Sequence, residues 1–421
     1  MSNVRNRSCR VGTGVSGVLT AAGLVLLSGW AGGCSGHGSY TKAHLEESQK
    51  KLAEMKSGTE WQMAQQQFLA GDLDKAHKTI DRSLSLNDKV SKSHVLKGRI
   101  LMEKGQLENA RLCFLEAERL DEKNVEAQYY LGIVHERFNE PEQALEQYTK
   151  AGELDPANAQ YVIAAADMLI QLGRLDEAEQ FLLSKRSNFE YNAAIRQSLG
   201  NIAMLRKDYT HAADLFREAC TLSPTDMHVL EDLVRAQMTC GQYADAEVNV
   251  RRLLENENYR GRRDLRHLQA KCLIAVDRPL EARQILVDLT GDAEGGRDVD
   301  AWVDLGNTSY ILKDRNRLRQ VASRLTAMAP TRHEGFMFRG VAQMIDGDLT
   351  TAISSFDQAA MRTSTDSTPL LLKGFALQDL GKLDDAKRSF AAAVKLDPTG
   401  PAHDALLALE GGTYAAERTD R

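Results

Sequence analysis

The chain has 421 residues with 8 Pro, a formal charge of −6, 27% charged and 43% hydrophobic residues. That composition suits an ordered chain long enough for a large buried core, and its acidic balance gives no pull towards nucleic acid. The 6 Cys and 10 His show no close pairing, which excludes the common zinc spacings.

Taken from the start, residues 1–10 carry Arg5, Arg7 and Arg10 without an acid, and residues 11–31 form a Gly/Ala/Leu/Val run ending at Gly32, Gly33 and Cys34. This predicts an export signal over residues 1–33. The small pair before a Cys resembles a bacterial lipobox, which implies cleavage and lipidation at Cys34, with Ala31 departing from the Leu usual three places earlier. Ser35 after the Cys is similar to lipoproteins sorted to the outer membrane, facing the periplasm. Ordinary signal cleavage, an uncleaved anchor and an organelle transit peptide are the alternatives. Several acyl chains on one Cys would hold the chain to a leaflet. Residues 34–56 then comprise a loose tether and a leading helix, Lys42 to Lys56, expected to cover an apolar edge of the chain after Ser57.

From Ser57 the chain repeats. Val125 to Asn158 contains two amphipathic helical patterns separated by Asn139, Glu140 and Pro141, a hairpin too small to close a core alone. Ala144 marks its second helix, and steps of 34 place Ala76, Ala110, Ala178, Ala212 and Ala246 on the same register. Two steps of 36 lead to Ala282 and Leu318, after which 34 returns with Ala352 and Ala386, making ten units. A small residue recurs twelve places before each marker, at Ala64, Gly98, Gly132, Ala166, Gly200, Ala270, Gly306, Gly340 and Gly374, with Val234 the exception. A bulky apolar residue recurs four places after it, from Ile80, Phe114 and Tyr148 to Phe356 and Phe390, with Ala322 the exception. Pro156, Pro224, Pro330 and Pro398 close their units.

These offsets resemble the tetratricopeptide repeat (TPR) family over Ser57 to Gly400. The resemblance implies an all-α fold, a right-handed α-solenoid of helix-turn-helix units whose concave face binds other proteins. Units one to six occupy residues 57–260, divergent units seven and eight 261–332, and units nine and ten 333–400. Residues 401–421 form a short capping helix, from Ala402, and a tail.

The divergent region shows three anomalies. Residues are added near Glu257 to His267, where Arg260, Arg262, Arg263 and Arg266 gather. A lengthened glycine-rich loop runs from Thr290 to Asp300, and Arg315, Arg317, Arg319 and Arg324 crowd one helix while Lys313 replaces a turn Gly. Drift of the pattern or a changed twist accounts for these, or the first cluster is a basic docking patch for an acidic partner or for anionic lipid or glycan. Of the four Cys inside the array, at 113, 220, 240 and 272, separate buried thiols are expected, with a Cys240–Cys272 bridge the rival.

No catalytic constellation emerges, so no enzyme, metal or cofactor is expected. Gly12, Gly14 and Gly17 spell a dinucleotide fingerprint inside the signal, with no strand before them, and are accidental. His135 and Glu136 lack the second His of a zincin, and Asp384 and Asp385 complement a helix start. The peptide-carboxylate clamp of TPR co-chaperones is not matched: Asn201 and Asn307 hold ninth places, but Gln197 and Val303 hold the fifth. There remains a row at the twelfth place, Phe68, Met102, Ile170, Met204, Met238, Ile274, Tyr310 and Met344, which either packs on the next unit or forms an adaptable apolar trough for a partner. The expected function is a lipid-anchored protein-binding scaffold of a cell-envelope assembly or secretion machine. The alternative is a non-catalytic subunit of a polysaccharide synthesis or export complex. Partner identity and oligomeric state are not legible.

Overall fold

The structure is a computed structural model that describes residues 39–292 and 294–409. The export signal, Cys34, the Gly12–Gly17 motif and the tail after 409 lie outside the described residues.

Twenty helices follow one another, with no strand among the described residues. In pairs they are α1 Ser39–Leu69 with α2 Leu73–Leu86, α3 Ser91–Glu103 with α4 Leu107–Leu120, and α5 Val125–Arg137 with α6 Pro141–Leu154. Next come α7 Ala159–Gln171 with α8 Leu175–Lys185, α9 Ala193–Leu205 with α10 Tyr209–Leu222, and α11 Met227–Thr239 with α12 Tyr243–Glu255. The last four pairs are α13 Arg263–Ala275 with α14 Pro279–Gly291, α15 Val299–Ile311 with α16 Arg315–Met328, α17 Glu334–Ile345 with α18 Leu349–Ala360, and α19 Thr368–Asp379 with α20 Leu383–Leu396. The fold is an α-solenoid of ten helical hairpins.

Each hairpin turns through one residue in the left-handed backbone region. Gly71, Gly105, Gly173, Gly241, Gly347 and Gly381 take it in six hairpins, and Asn139, Lys207, Asp277 and Lys313 in the other four. Gly adopts this conformation at no steric cost, and Asn and Asp adopt it more readily than other residues, so the strain falls on the turns at Lys207 and Lys313.

Packing explains the small places. In α3, α9 and α17 a Cβ on Gly98, Gly200 or Gly340 would come within 2.5 to 2.6 Å of the Phe114, Phe216 or Phe356 ring of the same hairpin. The Tyr148 ring occupies the same place opposite Gly132. The missing side chain is the space that the partner helix's ring fills. Ala322 breaks the rule in hairpin eight, and there the ring over Gly306 is Phe338, which comes from α17 of the next hairpin and is 1% exposed. One ring thus substitutes for another across a unit boundary.

The described residues divide into two compact units, one up to Ser93 and one from His94 onward. In the first, Ala64, Ala76 and Ile80 are fully buried, and Ser57 and Ser83 exchange hydroxyl-to-carbonyl hydrogen bonds at 3.0 and 2.8 Å. The leading helix departs from expectation. It is continuous with the first helix of hairpin one, because a single Gly58 costs a helix only about 1 kcal/mol and does not break it. Its Leu45, Leu52 and Met55 are themselves at least half exposed.

Within the second unit the core runs along the interior of the array. Asn124, Asn158, Asn192, Asp226 and Asp298 cap the first helices of hairpins three, four, five, six and eight by accepting from backbone N–H groups. Residues 401–409 form a further helix whose Leu409 packs with Leu377 and Phe390 of hairpin ten. The four thiols are free, so no Cys240–Cys272 bridge forms; Cys272 instead lies 3.1 Å from the Met238 sulfur. Cys272 is buried, and the other three are half-buried. Burial pushes the Cys220 and Cys272 thiols up to about 11, so both remain protonated and unreactive at neutral pH.

Candidate functional site

In the second unit the first helices of neighbouring hairpins touch directly, α7 with α9, α13 with α15, α15 with α17 and α17 with α19. The first helices therefore line the inner face. On α5 the inner stripe reads Glu126, Tyr129, Ile133 and Glu136, and on α7 it reads Gln160, Ile163, Asp167 and Ile170, each at helical three- or four-residue spacing.

The twelfth-place row does not make an open trough. Met102 is buried, Ile170, Met204 and Met238 pack against one core cluster, and Ile274 and Met344 against another. Phe68, in the first unit, is half-buried. Tyr310 alone of the eight is solvent-exposed, at 50%. Apolar side chains at the seam between hairpins gain more from the neighbouring core than from water, and six of them take that option.

The arginine cluster is neutralised by its own fold. Arg262 pairs with Glu231 and, at 2.6 Å, with Asp264, while Arg263 pairs with Asp292 at 2.5 Å and donates to the Leu289 carbonyl at 2.5 Å. Arg266 lies 3.5 Å from Asp288, which leaves Arg260 exposed. The arginines of α16 are used likewise: Arg315 and Arg319 both meet Asp346, and Arg324 donates to the Gly296 carbonyl at 2.9 Å. Trp302 donates to the Gly295 carbonyl at 3.1 Å, so the glycine-rich loop is clamped from three sides. These residues hold inserted chain against the array, and of the first cluster only Arg260 is left without an acidic partner among the described residues.

The inner face of hairpins three and four is different. Glu136 takes the twelfth place where most other hairpins carry an apolar residue, and both it and Asp167 reach solvent. Neither has a basic partner among the described residues. The Tyr148 hydroxyl donates to Glu136 at 2.7 Å, and burial together with this bond holds the phenol well above its ordinary value. Desolvation by the surrounding walls, and then the Glu136 charge, raise the Asp167 carboxyl to about 6 although part of its surface is open. Tyr129 packs with Tyr130, Tyr148 and Tyr161 at centroid distances of 5.4, 5.8 and 5.1 Å. Gln160 donates to the Tyr129 hydroxyl at 2.5 Å and ties the two stripes together.

Beside this wall lies an open cavity of about 600 Å³, lined by Asp155, Asn158, Gln160, Ile163, Phe189 and Asn192 among others, with no basic side chain. It exists because α8 stops at Lys185 and a 3-10 segment, Arg186–Phe189, replaces its last turn and brings Phe189 into the wall. Sequence reasoning passed over this place. The one signal was the gap that Glu136 makes in the twelfth-place row. No group of His, Cys, Asp and Glu among the described residues is placed to hold a metal ion, and none of their helices is long and apolar enough to cross a membrane.

Comparison with known proteins finds tetratricopeptide repeats in parts of the chain. The family model described as TPR repeat matches residues 98–137, and those described as tetratricopeptide repeat match 129–190 and 368–399. A BBSome complex member, BBS4 of Bos taurus, is 25% identical over 173 residues, 41% of this chain and 33% of that protein. The type IV pilus assembly protein PilF of Pseudomonas aeruginosa is 25% identical over 138 residues, 32% of this chain and 55% of its own length. The chain thus spans a third to about half of these relatives. Among solved structures, that of PilW, a widely conserved type IV pilus biogenesis factor, is 17% identical, covers 48% of this chain and 94% of its own, and superposes with a TM-score of 0.43.

Proposed function

We propose that this array of tetratricopeptide repeats is a lipid-anchored scaffold in a bacterial cell envelope, attached to the outer membrane and facing the periplasm, that holds partner proteins of an assembly or secretion machine on its inner face. The observation that carries the binding role is the inner face of hairpins three and four. It joins a cavity, a tyrosine wall and solvent-open carboxylates with no basic partner among the described residues. A surface that serves folding alone gains nothing from such an arrangement. The basic, acid-free start, the apolar run and Cys34 support the anchor, and the pilus assembly relative supports an envelope machine. Two measurements test this reading. The mature amino terminus should carry acyl chains on Cys34 by mass spectrometry, and an unmodified terminus elsewhere removes the anchor. Affinity purification from solubilised envelopes should enrich the subunits of one machine, and an isolated chain would count against a scaffold.

A second reading, a non-catalytic subunit of a polysaccharide complex, draws on the rings of Tyr129, Tyr130 and Tyr161, since aromatic faces stack on sugars. Co-purification of glycan-handling proteins in the same experiment distinguishes it.

A further inference from the structure

We propose that the inner face of hairpins three and four receives a partner segment that sets a lysine or arginine side chain against Glu136 and Asp167 and an apolar side chain on Ile163 and Phe189. The proposal rests on the scaffold reading and names the chemistry of its partner.

Charge balance favours it first. Elsewhere several acids at the inner side or the seams are compensated. Asp304 has His267 at 2.7 Å and Lys271 at 3.8 Å, Glu218 has Arg196 at 3.0 Å, Glu247 has Arg251 at 3.1 Å, and Asp346 has Arg315 and Arg319. Glu126, Glu136 and Asp167 have no such partner among the described residues, and they stand on two adjacent helices of one face. The Glu136 charge raises the Asp167 carboxyl, and a cation placed between the two relieves it.

Shape favours it next. Ile163 belongs to the cavity wall and stands one helical turn, about 6 Å along α7, from Asp167. The cavity therefore offers an apolar floor of Ile163 and Phe189 directly beside the acidic site, at the spacing of neighbouring side chains on one face of an extended segment or a helix. Asp155, Asn158, Gln160 and Asn192 complete the wall, and no Lys, Arg or His lines it to repel a cation. The half-buried ring of Tyr129 adds aromatic surface on the same side, which also favours a cation. An acidic peptide end would meet charge of its own sign throughout.

The test uses the full chain and an amidated twelve-residue peptide of alternating leucine and arginine, titrated by calorimetry. Two further peptides replace the arginines by glutamine or by glutamate. The variant Glu136→Gln with Asp167→Asn removes the charges and keeps the acceptor for Tyr148. The control variant Glu142→Gln with Asp384→Asn removes the same net charge from exposed helix starts. We expect the leucine–arginine peptide to bind the wild type at least tenfold more tightly than either other peptide, and the inner-face variant to lose that tenfold while the control keeps it. Equal weakening by both variants, or by neither, overturns the proposal. A photo-crosslinker at Ile163 in the native envelope separates this from the scaffold reading. A captured partner whose yield is indifferent to Glu136→Gln with Asp167→Asn sinks the basic side chain alone, and no adduct at any inner-face position sinks both.

Discussion

Hairpins three and four keep the 34-residue register and depart from the pattern only at the end of α8, and hairpins seven and eight break it, yet the unused chemistry lies in the more regular pair. The inserted residues, the arginines and the glycine-rich loop of seven and eight are consumed by one another. Arg263 and Arg324 hold the Leu289 and Gly296 carbonyls, and Asp346 takes two arginines. In hairpin three the packing places are filled as the pattern demands, hairpin four departs only at the end of α8, and the residues left over, Glu136 and Asp167, have no basic partner among the described residues. Irregularity of sequence therefore marks where the array repairs itself. Uncompensated charge marks where it meets something else.

The contrast can be broken first at its seams. Phe338→Ala removes a ring that serves hairpins eight and nine together, and should cost about 3 to 5 kcal/mol in denaturant unfolding. A cost near 1 kcal/mol would mean that Gly306 does not depend on a borrowed ring. Gly132→Leu drives a side chain into Tyr148 and should cost about 1 to 3 kcal/mol, with a clear fall in melting temperature, whereas Glu142→Ala on the exposed start of α6 should stay within about 0.5 kcal/mol. Reversing Arg262 and Arg263 to Glu should destabilise by about 2 kcal/mol through lost charged hydrogen bonds, with Arg260→Glu nearly silent. If all three reversals left the melting temperature alone, the cluster would be a free patch after all.

Asp167→Asn sharpens the other side. Its carboxyl titrates near 6 in the folded chain and near 3.8 when unfolded, so below the lower value both states carry the proton and the group costs nothing. As pH rises through 6 the folded state must bear an uncompensated charge beside Glu136, and stability falls. The variant should therefore melt higher than the wild type at pH 7.5, with the gain gone by pH 4; a loss at pH 7.5 would reveal a hidden partner. The smallest effect is expected at the strained turns, where Lys207→Gly or Lys313→Gly should gain about 1 kcal/mol in thermal unfolding.

The ten hairpins, their register and the two steps of 36 were legible because packing imposes a small residue and a ring at fixed offsets. The Phe338 exchange was not, since Phe338 and Gly306 lie 32 residues apart in different units and only the anomaly at Ala322 hinted at it. The neutralisation of Arg262 by Glu231 likewise joins residues 31 apart, beyond what local pattern reports. Tyr310 was the one twelfth-place residue whose exposure matched a surface role. Met102 and its fellows are apolar whether they pack on the next hairpin or line a trough, so composition alone did not choose between the two. The cavity owes its existence to the last turn of α8 giving way to a 3-10 segment, a local choice between helix types that periodicity does not resolve.

The most direct measurement places one photo-crosslinking residue at Ile163 and, in a second strain, at Arg260, and compares protein adducts in intact envelopes. A working inner face predicts a discrete adduct at Ile163 and none at Arg260. An adduct at Arg260 with none at Ile163 would put the working surface on the compensated region and contradict it.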